Sequence, residues 1–262
     1  MDPCSDFPFS CLNYDCSLEI FSYLNVEDAL NLRLVSKEWK NRAEEENGGK
    51  SILEKINFVR AHLFGKERWL YETGLKLKEP YLPWQYAYEL LNASCPFWEG
   101  RKIYQTHTLV MMVPNISLEE FEDQIFPNVN RHPKPFYREF SPHFAEIIKE
   151  KQLDEASWVL FTNQLIEGTQ GKSISDQELV LKKYIEYRAP TIVEAVICIF
   201  ARYVMEGECE FGVKPLTYVR CAEVIKDWPV CIGGFEKGGL EISGSFYFGA
   251  GHEGIAPIKP IV

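Results

Sequence analysis

The sequence has no C-x-x-C pair, no basic N-terminal stretch, no long apolar run and only 5 histidines, and each shortage closes a class of function. Eight cysteines are scattered through 262 residues. Cys4, Cys11 and Cys16 stand seven and five positions apart, and Cys209, Cys221 and Cys231 twelve and ten. Structural zinc knuckles space their paired ligands by about two to four residues. Together with Cys95 and Cys198, these thiols read as reduced and buried in a cytosolic protein, with no metal expected. The first twenty residues carry Asp2, Asp6 and Asp15 but no Lys or Arg, so no secretory leader is expected. The best apolar run, Ala195 to Phe200, meets Arg202 far short of the roughly 18 residues of a membrane span. Against 38 acidic residues there are 28 basic ones, a formal charge of −10. A phosphate backbone or an anionic membrane would be repelled, so neither nucleic acid nor membrane is an expected partner.

What is present is apolar and aromatic. Hydrophobic residues make up 46% and aromatics 14%, enough for a sizeable core. The texture changes along the chain. Residues 12 to 64 are helix-rich with few breakers, whereas 80 to 150 and 207 to 262 are crowded with Pro, Gly and aromatics. The join is placed at Glu46-Asn47-Gly48-Gly49-Lys50, read as a flexible stop. In the first part Ile20, Phe21 and Leu24 line one helical face, and Asn25-Val26-Glu27-Asp28 offers a cap for the next. Leu30, Leu34 and Val35 continue a second stripe, Ser36 caps a third short helix carrying Trp39, and Ile52, Ile56, Val59 and Leu63 fall at helical spacing in a fourth.

The second part reads as α+β. Ile103 to Val113 is expected as a buried strand, Ser117-Leu118-Glu119-Glu120 as a capping box, and Ser157 to Ile166 as a second strand. Ser175-Asp176-Gln177-Glu178 is expected to cap a helix running to about Tyr187. Pro190 suits the first turn of a further helix, apolar nearly all round. From Trp228 to Phe248 the glycine pairs suggest short strands joined by turns.

Catalytic signatures are weak. Gly168-Thr169-Gln170-Gly171-Lys172-Ser173 follows a strand and precedes a helix, but the glycine a phosphate-binding loop needs five residues before Gly171 is Ile166. A strand-to-helix turn with Lys172 in solvent is the simpler account. A Cys95–His107 nucleophile has nothing to orient the imidazole, and His107 fits a hydrogen-bonded core histidine better. His132 and His143 are too far apart to share a helical face. Gly233-Gly234 and Gly238-Gly239 lack the flanking strand and helix of a dinucleotide fingerprint. Trp84, Trp98, Trp158 and Trp228 are expected in packing, with room for one or two at a peptide pocket. No cofactor is expected.

Leu18-Glu19-Ile20-Phe21-Ser22-Tyr23-Leu24, Asp28, Leu30, Leu32 and Leu34-Val35-Ser36-Lys37-Glu38-Trp39-Lys40 resemble the F-box motif in register. The usual Leu-Pro opening is Leu12-Asn13 here. The resemblance implies an F-box helical module over residues 8 to 50, a helical linker over 51 to 80, and an α+β domain over 81 to 262 with short Gly-rich strands at its end, expected as the target-recognition region. It implies binding of a Skp-type adaptor and, through it, a cullin ubiquitin ligase, with an unknown target protein. The residues carried over to the Skp contact or the module core are Leu12, Ile20, Phe21, Leu24, Leu30, Leu34, Val35 and Trp39. The chain would then supply proximity rather than catalysis. Segments around Trp84, Cys95-Pro96-Phe97-Trp98, Thr106-His107, Tyr218-Val219-Arg220-Cys221, Trp228-Pro229-Val230 and Gly233-Gly234-Phe235 are similar to the C-terminal region of F-box-like proteins of chlamydia-like bacteria. That likeness implies an effector in host cytosol. Two alternatives stand beside the adaptor: an enzyme with a nucleotide or thiol site in the C-terminal domain, and an interaction protein without ligase coupling.

Overall fold

The computed structural model describes residues 51–121, 123, 149–207, 211–212, 215–225, 227–236, 239–244 and 251–261, with Tyr23, Leu24, Asp28 and Asn31 and the backbone of 46–47, 50 and 137–139. The chain forms two compact units, residues 1–62 with 81–93, and residues 63–80 with 94–262. The stretch 51 to 80, expected as a linker, is therefore shared between the units, and 81–93 rejoins the first.

In the first unit, β1 (Glu46–Asn47) pairs antiparallel with β2 (Lys50–Ser51), so the expected flexible join is flanked by a small ladder. Helix α1 (Ile52–Ala61) starts at a capping box: Ser51 Oγ accepts from Glu54 N–H, and Glu54 Oε2 accepts from Ser51 N–H at 2.7 Å. Its buried face is Ile52, Ile56 and Val59, spaced for one side of a helix. Leu63, expected on the same helix, instead begins a strand. The helix stops at His62, whose ring Nδ1 lies 2.7 Å from the Phe58 carbonyl. A second helix of this unit, Trp84–Asn92, follows Pro83 and buries Trp84, Ala87, Leu90 and Leu91. The two helices pack together, with Tyr88 edge-on to Phe58 at 5.6 Å.

The second unit is α+β, with helices and two mixed sheets. One sheet has the order β11-β6-β4-β3, built from β3 (Leu63–Phe64), β4 (His107–Met111), β6 (Trp158–Thr162) and β11 (Ile258–Ile261). Every residue of β4 and β6 is buried, as the continuous apolar run of a covered strand requires. The other sheet has the order β10-β7-β8-β9-β5, with β5 (Tyr137–Glu139), β7 (Tyr218–Ile225), β8 (Trp228–Glu236), β9 (Gly239–Gly244) and β10 (Glu253–Gly254). The described part of the glycine-rich tail thus forms strands, but Gly233-Gly234 lies inside β8 rather than in a turn between strands. Gly233 is required by close approach: a Cβ there would meet the Thr217 carbonyl oxygen at 2.1 Å.

In chain order the helices after α1 are α2 (Lys66–Thr73), α3 (Trp84–Asn92), α4 (Ile103–Thr106), α5 (Leu118–Glu120), α6 (Ile174–Leu181) and α7 (Ile192–Glu206). Helix α7 contacts β4 in one sheet and β7 and β8 in the other, so it is buried from Ile192 through Ala201. That is the reason its sequence is apolar nearly all round. Next to it Trp69 of α2 stacks on Phe200 at 5.6 Å, meets Phe64 and Phe121 edge-on, and donates from Nε1 to the Met111 carbonyl at 3.0 Å.

Several boundaries differ from the sequence reading. Ile103 to Thr106 is a helical turn, not the start of the strand; Gln105 Oε1 accepts from Lys102 N–H at 2.8 Å, which holds the turn closed. The cap of α6 is Ser173, whose Oγ accepts from Asp176 N–H, and the helix ends at Leu181 rather than near Tyr187. Beyond it single turns close through Tyr184 N–H to Leu181 and Tyr187 N–H to Tyr184. Pro190 lies ahead of α7, whose cap is Thr191 in a capping box with Glu194. The Ser117–Glu120 capping box is present as read.

Candidate functional site

The first unit is tied to the N-terminal segment through the backbone. The Trp84 N–H, one of the donors that a helix start leaves without an internal partner, donates to the Leu24 carbonyl at 3.0 Å. Close by, the Tyr81 hydroxyl donates to the Tyr23 carbonyl. Leu24 is half-buried, and Tyr23, Asp28 and Asn31 are exposed. Of the expected adaptor-contact residues, Leu12, Ile20, Phe21, Leu30, Leu34, Val35 and Trp39 lie outside the described residues, as does Asn13.

In the second unit His107 is buried, 3% exposed, at the start of β4. Its Nδ1 is 2.8 Å from Thr106 Oγ1, and its Nε2 is 3.3 Å from the Tyr187 hydroxyl. Phe97 stacks on the ring at 5.9 Å and Trp98 meets it edge-on. Burial lowers the imidazole pKa to about 3 and raises that of Tyr187 well above the usual phenol range. Tyr187 therefore keeps its proton and donates to Nε2, which leaves Nδ1–H to donate to Thr106 Oγ1. A ring locked neutral in this way is not poised as a base near pH 7. Cys95 is buried as well.

The turn before α6 is structural. Gly168 and Gly171 have φ of +76° and +69°. Thr169 Oγ1 donates to the Ile166 carbonyl at 2.6 Å and accepts from Ile255 N–H at 3.2 Å. The loop's one buried side-chain hydroxyl is thus spent on the protein's own backbone, and Lys172 is exposed. The thiols of Cys198, Cys221 and Cys231 are free and buried, and burial pushes each upward, Cys231 to about 12. Among the described residues no group of three or more His, Cys, Asp and Glu gathers as a metal site, and no helix is long and apolar enough to cross a membrane. Trp84 and Trp158 are buried, but Trp228 is 42% exposed.

One open feature of this unit is a surface groove of about 520 Å3 between the end of α6, residues 185–189 and β7. Leu181, Tyr187, Ala189 and Ala222 give it apolar walls, and Glu178, Lys182, Arg188 and Arg220 bring charge. Arg188 is occupied: its two terminal nitrogens donate to the Glu194 carboxylate at 2.8 and 2.6 Å. These hydrogen bonds raise the Arg188 pKa and, against the cost of burial, hold the Glu194 carboxyl below its usual range. Arg220 differs. It is 6% exposed, its Nε has no hydrogen-bond partner, and it forms a loose ion pair with Glu178, Nη1 to Oε1 at 3.7 Å. Sequence reasoning passed over Arg220, Arg188 and Tyr187. The available signal was a lone cation inside Tyr218-Val219-Arg220-Cys221-Ala222, a run otherwise suited to a buried strand.

The F-box domain family matches residues 9–48, which bears out the F-box reading of the N-terminal segment. No curated protein and no solved structure matches the chain.

Proposed function

We propose that the chain is a substrate adaptor that couples a target protein to a Skp–cullin–F-box ubiquitin ligase. The carrying observation is the F-box match at residues 9–48, the domain through which such adaptors hold Skp. The physical logic suits a segment of this size. Short helices cannot hide all their apolar side chains among themselves, and a partner helix covers the remainder. The contact surface is drawn from Leu12, Ile20, Phe21, Leu24, Leu30, Leu34, Val35 and Trp39. The rest of the chain presents the target, and no chemistry is assigned to it. An effector acting in host cytosol is the further reading proposed, the one that a resemblance of the C-terminal segments to chlamydia-like bacterial families would imply.

The enzyme alternative draws no support from the site. His107 is neutral and enclosed, and Lys172 is exposed on a turn whose Thr169 already serves the backbone. A pull-down of the full chain on purified Skp adaptor tests the proposal. Binding is expected, and Leu24→Ala combined with Val35→Asp is expected to abolish it while the protein stays folded. Failure of the parent protein to bind, or undiminished binding by the double variant, refutes it.

A further inference from the structure

We infer that the groove beside β7 is a docking site for an extended peptide segment whose Asp or Glu carboxylate seats against Arg220. Arg220 is only 6% exposed, yet its Nε has no acceptor, and among the described residues its ion-pair partner, Glu178, stands at 3.7 Å, beyond hydrogen-bond reach. Burying a guanidinium whose Nε has no acceptor is costly, and an apolar side chain of similar volume would serve the sheet better. A charge left under-compensated on the wall of an open groove is complementary to an anion that is not part of this chain.

The groove also sets the charge and shape of that anion. Arg188 is neutralised by Glu194, Lys182 adds a second cation, and Glu178 subtracts one charge. One net positive charge remains among the lining groups, which matches a carboxylate. A phosphate dianion would leave excess negative charge beside Glu178. Around the cation the walls are apolar, and Ile185, 95% exposed, stands at the rim with its side chain in water. An acid flanked by an apolar residue satisfies both features, since the carboxylate answers Arg220 while the neighbour covers Ile185. Calling the bound segment part of a ligase target rests on the adaptor reading above; the chemistry of the groove does not.

The test is a selection of a random dodecapeptide display library on the full-length protein, with Arg220→Met protein as counter-selection. Synthetic versions of the recovered peptides are then titrated by fluorescence anisotropy. Recovered peptides should carry an Asp or Glu next to an apolar residue. Affinity should fall about tenfold or more when that acid becomes its amide, when Arg220 becomes Met, or when exposed Lys182 becomes Glu. Arg220→Met should melt at or above the parent temperature, an outcome a purely structural arginine would not give. Should that variant fail to fold, Lys182→Glu decides. Peptides lacking an acid, no peptide that distinguishes the variants, or tighter binding when phosphoserine replaces the acid would each overturn the inference. Skp pull-down of Arg220→Met runs alongside. Retained Skp binding with lost peptide binding supports both readings, peptide binding without Skp binding by the parent sinks the adaptor reading alone, and Skp binding without acid-dependent peptides sinks the groove alone.

Discussion

Acid should destabilise the second unit in part through His107. Its imidazole is 3% exposed and its pKa is lowered to about 3 by burial, against about 6.5 in an unfolded chain. Between those two values the unfolded state carries a proton that the folded state refuses. The stability His107 contributes is therefore complete above about pH 6.5 and is lost as the pH falls toward 3, at about 1.4 kcal/mol per pH unit. From pH 6.5 to 4 this comes to about 3 kcal/mol, a large part of the roughly 5–15 kcal/mol that holds a domain together. The ring is almost wholly removed from solvent, so screening does not reduce the figure.

The assay is urea unfolding at a series of pH values for the parent and for His107→Phe. Phenylalanine keeps a ring in the pocket against Phe97 but leaves the Tyr187 hydroxyl and Thr106 Oγ1 without their partner, at a cost of about 1–3 kcal/mol near pH 7. The variant should thus start less stable and lose less on acidification, the two curves converging by about 3 kcal/mol between pH 6.5 and 4. Carboxylates elsewhere titrate in both proteins and cancel in the difference. Parallel curves would refute the reasoning, because they would mean that His107 takes up its proton in the folded protein as readily as in the unfolded one.

Two further predictions concern structure that the sequence left open. Trp69 is fully buried and hydrogen-bonded to Met111, so Trp69→Ala should cost about 3–5 kcal/mol in chemical denaturation, and a loss under about 1 kcal/mol would contradict its place in the aromatic core. Thr169→Val removes the acceptor of the Ile255 N–H and should cost about 1–3 kcal/mol, whereas Lys172→Ala should stay within about 0.5 kcal/mol. Neither protein should gain thermal stability from ATP; stabilisation by ATP that Lys172→Ala abolishes would overturn the structural reading of that turn.

The parts legible in the sequence were those governed by local patterns. The capping box at Ser117, the apolar face Ile52, Ile56 and Val59, and the all-round apolar run of α7 each show as a pattern within one turn or one element. Errors arose where a polar side chain settled the backbone. Gln105 closing onto Lys102 cut four residues from an apparent strand, and Ser173, not Ser175, captured the Asp176 N–H at the start of α6. The His107–Tyr187 pair joins residues 80 positions apart, so no spacing rule exposes it. Arg220 was visible as a charge in an apolar strand, but only its missing acceptor gives that charge a meaning.

The division of the chain bears on how the adaptor reading can be tested. After α1 the chain leaves the first unit to build β3 and α2 into the second, and it returns at Tyr81 to add α3. The Leu24 and Tyr23 carbonyls are held by Trp84 and Tyr81, so the F-box segment and α3 share one body. A cut after residue 50 would remove the acceptor of the Trp84 N–H and the rest of the body into which α1 and α3 fold. Loss of Skp binding in such a truncation would report unfolding as readily as a lost contact. A segment expressed alone fares no better, because a module of that size is near the limit at which a core sustains itself. Point variants in the full chain avoid both faults. Leu24→Ala with Val35→Asp alters two side chains and deletes no backbone acceptor, so the Trp84 N–H keeps its partner while the apolar contact is removed.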